Sequence, residues 1–510
     1  MIDIFRLTPA ELEQFIHMQR VVERQDAEAQ KTRALRDYYD GEHPTLLTAR
    51  QQEYLGPLVA PDAFPFAYNL MRPVADTLAE RLSVTGFVVN GATADDDEGP
   101  DADMARLLWA WWKANRLDLI EQRIYAHALV DGKTFTMVDY DATEGRPRIV
   151  EHRLDDGERG VRLLRDDADP NRVLFATRYF WDADPLRPTR TFERKTVYLA
   201  TEIRKYRRSG AGVSVGGWAQ MRDEGDPAWP LPWVNAAGQP LGVAVNEFPN
   251  PGGSEIEPVI GLQNALNKTW LDLVAAADAS GFPIMAVEYQ AGLMPPAGDD
   301  NIKGADELRI GPGRMLELDG ATLRRIEAAN LTPMLDVIEA LTTAIAGVSR
   351  TPQYYLRPIG GGDVPSGEAL KQLESGLVAR ARKRQRVFGQ AWEDTLRTAL
   401  RVANAFGPFS LPEDAQIEIV WADAETRNEF TVAQTAEAHK RLNVPDEMIW
   451  QMLGYTPDQI AQFRADARAD DASRIAAAVA AMRTTQPATP PTTGVAQTGG
   501  NTNGRNGDAL

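Results

Sequence analysis

The sequence predicts an α+β protein, mainly helical, and three stretches carry that prediction. From Leu331 to Arg350, apolar residues fall at Leu331, Leu335, Ile338, Leu341, Ile345 and Val348, the spacing of an amphipathic helix. A second stripe, Leu370, Leu373, Leu377, Ala381, Phe388, Trp392 and Leu396, marks a helix of roughly 40 residues, against a usual length of about 11 or 12. Between Lys133 and about Val245, short runs rich in β-branched and aromatic residues alternate with turn signals, which is the signature of strands.

Taken in order, residues 8–40 read as a charged helical start. Thr8 caps it, Pro9 fits the first turn and Glu11 favours the positive end of the dipole. Tyr38-Tyr39-Asp40-Gly41, followed by Pro44, ends it. Residues 69–82 read as a helix, and Thr85–Val89 as a strand. The acidic run Asp95–Asp103 invites a calcium site, but it lacks the alternating ligands and closing Glu of such a loop, so a solvated loop is the expectation. Met104–Leu129 reads as one helix whose Trp109, Trp111 and Trp112 suit a core or subunit packing better than a sugar platform. Strands are expected at Thr134–Val138, Arg172–Ala176, Arg194–Leu199 and Glu202–Tyr206, and a break at Asn246–Pro251. Residues 254–280 read as a helix capped by Ser254, with Glu255 and Glu257 at its positive end and Ile256, Ile260, Leu266, Trp270 and Val274 as its stripe. Residues 281–330 lose that period and gain short strands at Ile284–Val287 and Arg314–Leu318. Past the two helices of the opening, Ile417–Trp421 alternates as a strand, 425–482 is alanine-rich and helical, and 484–510 has the composition of a disordered tail. Between helices 331–350 and 366–406, Pro352, Pro358 and Pro365 exclude helix, and Gly360, Gly361 and Gly362 leave the backbone nearly free. A mobile loop between two rigid helices suggests a part that moves or touches something passing by.

The order Thr351-Pro352-x-Tyr354-Tyr355-Leu356, a glycine-rich turn, Pro365-Ser366-Gly367-Glu368-Ala369-Leu370-Lys371 and a long helix resembles the portal proteins of tailed bacteriophages. The branch it resembles is that of siphophages with Gram-positive hosts, over roughly residues 30–470, and the early Tyr-Tyr-x-Gly pattern adds to it. The resemblance implies a portal fold: a helical and β-rich wing at 1–253, stem helices at 254–280 and 331–350, and a small α/β clip at 281–330. It further implies a tunnel loop at 351–365, a long wing helix and strand at 366–424, and a helical crown at 425–483. The function it implies is a ring, twelvefold by resemblance, at one capsid vertex, through which double-stranded DNA enters and leaves without sequence-specific binding. Implied partners are the terminase large subunit, the major capsid and scaffold proteins and the head–tail adaptor, in a virion assembled in the host cytoplasm. Tyr354, Tyr355, Arg357, Gly360, Gly361, Gly362 and Asp363 would lie near DNA, although the tyrosines could equally anchor the base of the loop in the core.

Composition sets independent bounds. A chain of 510 residues with 43% hydrophobic and 25% charged residues can bury a large globular core. No apolar run reaches the ~18 residues of a membrane helix, the first residues do not form a signal peptide, and there is no cysteine for disulfides or thiol chemistry. A net charge of −18 argues against gripping DNA by neutralising phosphates. It suits either simple solubility or a wall along which DNA slides. The five histidines lack metal spacing, and no nucleophile elbow or Walker loop appears, so neither a catalytic centre nor a metal or cofactor is expected. A carboxylate-dependent hydrolase and a smaller head–tail connector are the alternatives; 73 acidic residues make any one pair uninformative, and the length disfavours the connector. The basic run Arg380, Arg382, Lys383, Arg384 and Arg386 could line a channel or contact a neighbouring subunit, but a face making salt bridges is the favoured reading.

Overall fold

The computed structural model describes residues 7–24, 26–44, 67–94, 99–166, 168–184, 187–209, 217–281, 285–289, 321–325, 330–356 and 367–425, with short stretches between 437 and 464. In chain order the elements are α1 (Pro9–Arg24), α2 (Ala27–Asp40), α3 (Met71–Ala79), β1 (Val84–Val89), β2 (Ala92–Thr93), α4 (Pro100–Ala114) and α5 (Leu117–Asp131). Next come β3 (Lys133–Asp141), β4 (Arg146–Arg153), β5 (Gly160–Arg165), β6 (Val173–Asp184), β7 (Arg187–Tyr198), β8 (Glu202–Ser209), β9 (Ala219–Gln220), β10 (Leu231–Pro232) and β11 (Val245–Pro249). A 3-10 turn, Glu257–Val259, leads into α6 (Ile260–Gly281); then follow β12 (Met285–Tyr289), β13 (Ala321–Arg325), α7 (Thr332–Ser349), α8 (Gln353–Leu356), α9 (Gly367–Phe406) and β14 (Ile417–Trp421). Helix makes up about 48% and strand 23%, so the α+β, mainly helical class holds.

All named strand pairs are antiparallel, in sheets ordered β14-β1-β2, β10-β8-β7-β6-β5 with β9 on β8, β11-β3-β4, and β12-β13. The main core lies where α9 crosses β3 and β11 and meets α4 and α5. Trp392 of α9 stands 4.6 Å from Trp112 and 4.8 Å from Phe248, ring centre to ring centre, and its indole N–H donates to Tyr125 at 2.8 Å. Trp109, Trp111 and Trp112 are 5%, 3% and 0% exposed, which makes them core residues. A second cluster joins α2, α3, α6, α7 and α8, and a third seats α1 on the six-stranded sheet. Two compact units result, Met1–Thr456 and Pro457–Leu510; of the second, helical turns at 459–460 and 462–464 are described.

Local rules account for most boundaries and for the departures from expectation. At the start of α1, Glu11 N–H donates to Thr8 Oγ1 at 3.3 Å and Thr8 N–H donates to Glu11 Oε2 at 2.8 Å, a reciprocal capping box. The expected single helix to residue 40 is two, because Asp26 caps a second one. Likewise 104–129 is not one helix. Arg116 has φ +56°, and the Asn115 side chain turns away to bond Trp111 O, Pro147 O and Ile149 N–H. Asn246–Pro251 is more than a break, since Val245–Pro249 pairs with β3, and Pro249 is tolerated as its last residue. The strands β4 and β5 were missed because arginines interrupt their apolar alternation. Leu335, Val348, Val274 and Leu373, expected on buried stripes, are 49%, 52%, 40% and 56% exposed. On α7 the buried face comprises Ile338, Thr342, Ile345, Ala346 and Ser349; at ~100° per residue Val348 stands about 100° from its centre, whereas Leu335 shares the face but lies in the first turn, ahead of its first buried residue. The Arg314–Leu318 strand, the tail from 484, Asp95–Glu98 and most of 425–482 lie outside the described residues.

One buried acid gives the core a measurable pH signature. Glu121 is 4% exposed and accepts from Val84 N–H at 3.0 Å, the Ser83 hydroxyl at 2.9 Å and the Tyr125 hydroxyl at 3.2 Å. Burial pushes its carboxyl up to about 7 despite those donors. The folded value thus lies above the unfolded value of about 4.3, so the stabilisation is complete below the unfolded value and is lost as pH rises through about 7. Glu121→Gln, neutral throughout, should therefore unfold at a higher temperature than the parent at pH 8, by a free energy of about 1–3 kcal/mol, with little difference at pH 4.5. Equal melting shifts at both pH values would rule out this titration.

Candidate functional site: the loop foot and the stem junction

The stretch from α7 to α9 is built by three local events. Arg350 at φ +51° ends α7, and Thr351 N–H returns to Ala346 O at 3.1 Å, a left-handed terminus that turns the chain. Pro352 then opens the single turn of α8, whose Tyr355 N–H bonds Pro352 O at 3.1 Å. Leu356 is 3% exposed in the second cluster and pins the turn from its apolar side. Arg357, Gly360, Gly361, Gly362 and Asp363 lie outside the described residues, and the chain is described again from Gly367.

Both ends of that loop meet at one carboxylate. Glu374, in the third turn of α9 and 5% exposed, accepts from the hydroxyls of Tyr354 and Tyr355, the latter at 3.0 Å. Arg81, from the corner after α3, donates to the same Oε1 at 3.0 Å and also to the Tyr355 hydroxyl. The tyrosine rings stand 4.4 Å apart. Burial first, then the Glu374 carboxylate, pushes the Tyr354 phenol well above its usual range, so it stays a donor. Charge-assisted bonds of this kind are roughly twice as strong as neutral ones. The anchoring alternative for the tyrosines is therefore the one their hydroxyls adopt. Arg81 and Glu374 were not singled out in the sequence, yet Glu374 falls between Leu370 and Leu377 on the apolar stripe, where a charge implies a buried partner.

The basic run divides. Arg380 and Arg384, four residues apart, turn inward to Glu255; Arg380 Nη2 reaches Oε2 at 2.7 Å and Arg384 Nη2 reaches Oε1. Arg380 also donates to the Ser349 carbonyl, the negative end of α7, and Arg384 Nε to Asn250 Oδ1 at 3.1 Å. Burial pulls the Arg380 guanidinium below its ordinary value, though it stays charged. The charges of these two arginines are thus met by partners within the chain, as the salt-bridge reading expects. The two side chains bolt the start of one expected stem helix and the end of the other to α9. Arg382, Lys383 and Arg386 occupy the exposed side, where Arg382 pairs with Glu425 at 2.7 Å. Ser254 is not a cap: helical structure begins at Glu257, Asn250 holds the preceding turn, and Glu255 faces the arginines rather than the helix dipole.

The Tyr-Tyr-x-Gly pattern braces the other side of α6. Gly41 has φ +91° and closes α2, a conformation that favours glycine. Tyr39 donates to Asp76 at 2.6 Å and Tyr38 to Asn264 at 2.9 Å. His43 Nε2–H donates to Tyr38 O at 2.8 Å while Nδ1 accepts from Asn267 at 2.7 Å, and burial lowers its pKa.

The sequence that builds this junction is similar to known proteins along most of its length. Residues 19–473 match the family described as phage portal protein, SPP1 Gp6-like. The chain belongs to that portal family. Portal proteins of Mycobacterium phages L5 and D29 are each 26% identical to it, over 457 and 451 residues, spanning 84% of this chain and 83% of the relative in both cases. Among solved structures, a chain titled as the neck of a native gene transfer agent particle computed with C12 symmetry covers 81% of this portal chain and 96% of its own length, at 12% identity and a TM-score of 0.36. A second, from the neck of an empty particle computed with C6 symmetry, gives 81%, 95%, 11% and 0.37. The portal is a structural phage protein of the capsid vertex, not an enzyme. Among the described residues, no cluster of three or more His, Cys, Asp or Glu could hold a metal, and no helix is long and apolar enough to cross a membrane.

Proposed function

We propose that this portal chain assembles as a ring, twelvefold, and that its axial channel passes double-stranded DNA during packaging and ejection. Residues 254–280 and 331–350 are the stem, 281–330 the clip that meets the terminase large subunit and later the head–tail adaptor, and 351–365 the tunnel loop. Residues 1–253 and 366–424 form the wing, which with the crown at 425–483 faces the major capsid and scaffold proteins during assembly in the host cytoplasm, and 484–510 is a tail. The observation that carries the reading is the loop foot. Tyr354 and Tyr355, ahead of the glycine-rich segment, are held by Glu374, which follows it on α9, so the chain enters and leaves that segment beside one anchored point. Arg357, Gly360, Gly361, Gly362 and Asp363 are its DNA-proximal residues. Symmetry repeats one weak contact around the duplex, and a chain of charge −18 avoids the phosphate grip that would stall it.

Negative-stain micrographs of the purified protein should give class averages with rotational symmetry and a hole wide enough for duplex DNA. Deleting Gly360–Gly362 should leave those rings intact while particles lose packaged DNA. Rings whose particles fill and hold DNA like the parent would refute the valve, and monomers in the presence of scaffold would refute the ring.

A further inference from the structure

Residues 81–83 form the corner between α3 and β1, and separate parts of the portal converge on it. Arg81 Nη2 donates to Glu374 and Tyr355 at the loop foot. Its Nη1 reaches the carbonyl of Ala424 at 3.5 Å, just past the end of β14, and Ala424 is 1% exposed. The backbone repeats this second link, because Ala422 N–H donates to Ser83 O at 2.8 Å. α9 grips the same exit: Gln385 Nε2 donates to Ala422 O at 3.0 Å, and Arg382 to Glu425 at 2.7 Å. A guanidinium is a rigid planar fork, so its two nitrogens cannot shift independently. One partner moving away therefore changes the geometry offered to the other.

We propose that Arg81 is a positioning residue that holds the loop foot and the exit of β14 as one unit, so that a displacement of residues 422–425 is passed to Tyr355 and Glu374. The consequence rests on the portal reading: the chain entering the crown would bias the tunnel loop. The coupling itself does not depend on it. Tyr355 and Ala424 are 69 positions apart in sequence, and Arg81 touches both from a third segment, so neither is moved by the other through the backbone alone.

Amide hydrogen exchange on the full chain tests this, using Arg382→Ala, Arg81→Met and the double variant. Arg382 is an exposed pair member, so its removal disturbs 422–425 without unfolding the protein. Exchange in Arg382→Ala should rise about two- to fivefold at 422–425 and also at 353–356. On the Arg81→Met background, adding Arg382→Ala should leave 353–356 where Arg81→Met alone put it. A rise confined to 422–425 in Arg382→Ala, or one at 353–356 that persists without Arg81, overturns the proposal. Should Arg81→Met not fold, Arg81→Gln takes its place, since its side chain is two bonds shorter and lacks the second terminal nitrogen that reaches Ala424. Failure to form rings or pass DNA would undo the portal reading and leave these exchange rates to decide the coupling.

Discussion

Glu255→Leu should lower the unfolding free energy by about 3–5 kcal/mol. Glu255 is the carboxylate between Arg380 and Arg384, whose side chains are only 10% and 8% exposed. Removing it leaves two guanidinium groups buried with the Ser349 carbonyl and Asn250 as acceptors. Neither carries a full negative charge, so the desolvation of both cations goes uncompensated. Surface pairs offer the contrast: Arg441–Glu437 is 77% and 64% exposed, and Glu437→Ala should change stability by less than about 1 kcal/mol. Denaturant unfolding of both variants measures the difference. The triple replacement Glu255→Leu, Arg380→Met, Arg384→Leu should recover most of the loss, because the cost lies in orphaned charge and not in lost packing. A triple variant as unstable as the single one would show that packing at the junction, and not charge, is what Glu255 supplies. In the portal, the same experiment asks whether the two proposed stem helices keep their angle to α9 through this carboxylate.

How far the sequence disclosed this arrangement depends on which force set each feature. The stripes of α7 and α9 were legible because helical period and burial coincide along most of their length. The stripes fail where Leu335 and Leu373 lie ahead of the core and where Val348 lies off the buried face, since period alone does not say how far or how wide a neighbour extends. The split at Asn115–Arg116 was illegible because it depends on Asn115 finding Ile149 and Pro147 on a strand over 30 residues away. The loop foot was half legible. Tyr354 and Tyr355 were marked by motif, but their acceptor Glu374 and its counter-charge Arg81 sit on other elements, and only tertiary packing brings them together. The basic run shows the same limit: its charges are adjacent in sequence, yet 380 and 384 share one helix face while 382 and 386 share another, and the inward pair was decided by Glu255, 125 positions before Arg380.

Trp392→Ala should cost about 3–5 kcal/mol, because this side chain ties three layers of the main core to one point on α9. Trp392 is 0% exposed; Trp112 from α4 and Phe248 from β11 pack on it edge to face, and Tyr125 from α5 takes its indole hydrogen at 2.8 Å. Truncation opens a cavity that rigid aromatic neighbours fill poorly, and it deprives the buried Tyr125 oxygen of a donor. Trp392→Phe keeps most of the volume and loses the hydrogen bond, so its cost should fall to about 1–2 kcal/mol. Leu373→Ala, one turn ahead of the core and 56% exposed, should cost under about 0.5 kcal/mol. Thermal melts of the three variants order these effects, and a loss at Leu373 approaching that at Trp392 would mean that a neighbouring subunit covers the start of α9. The site of damage matters as much as its size. Trp392 lies five turns beyond Glu374, so exchange at the loop foot should stay near parent values while β3, β11 and α5 loosen. If the foot loosens as well, α9 transmits core packing along its length, and Tyr354 and Tyr355 are held by the whole helix and not by Glu374 alone.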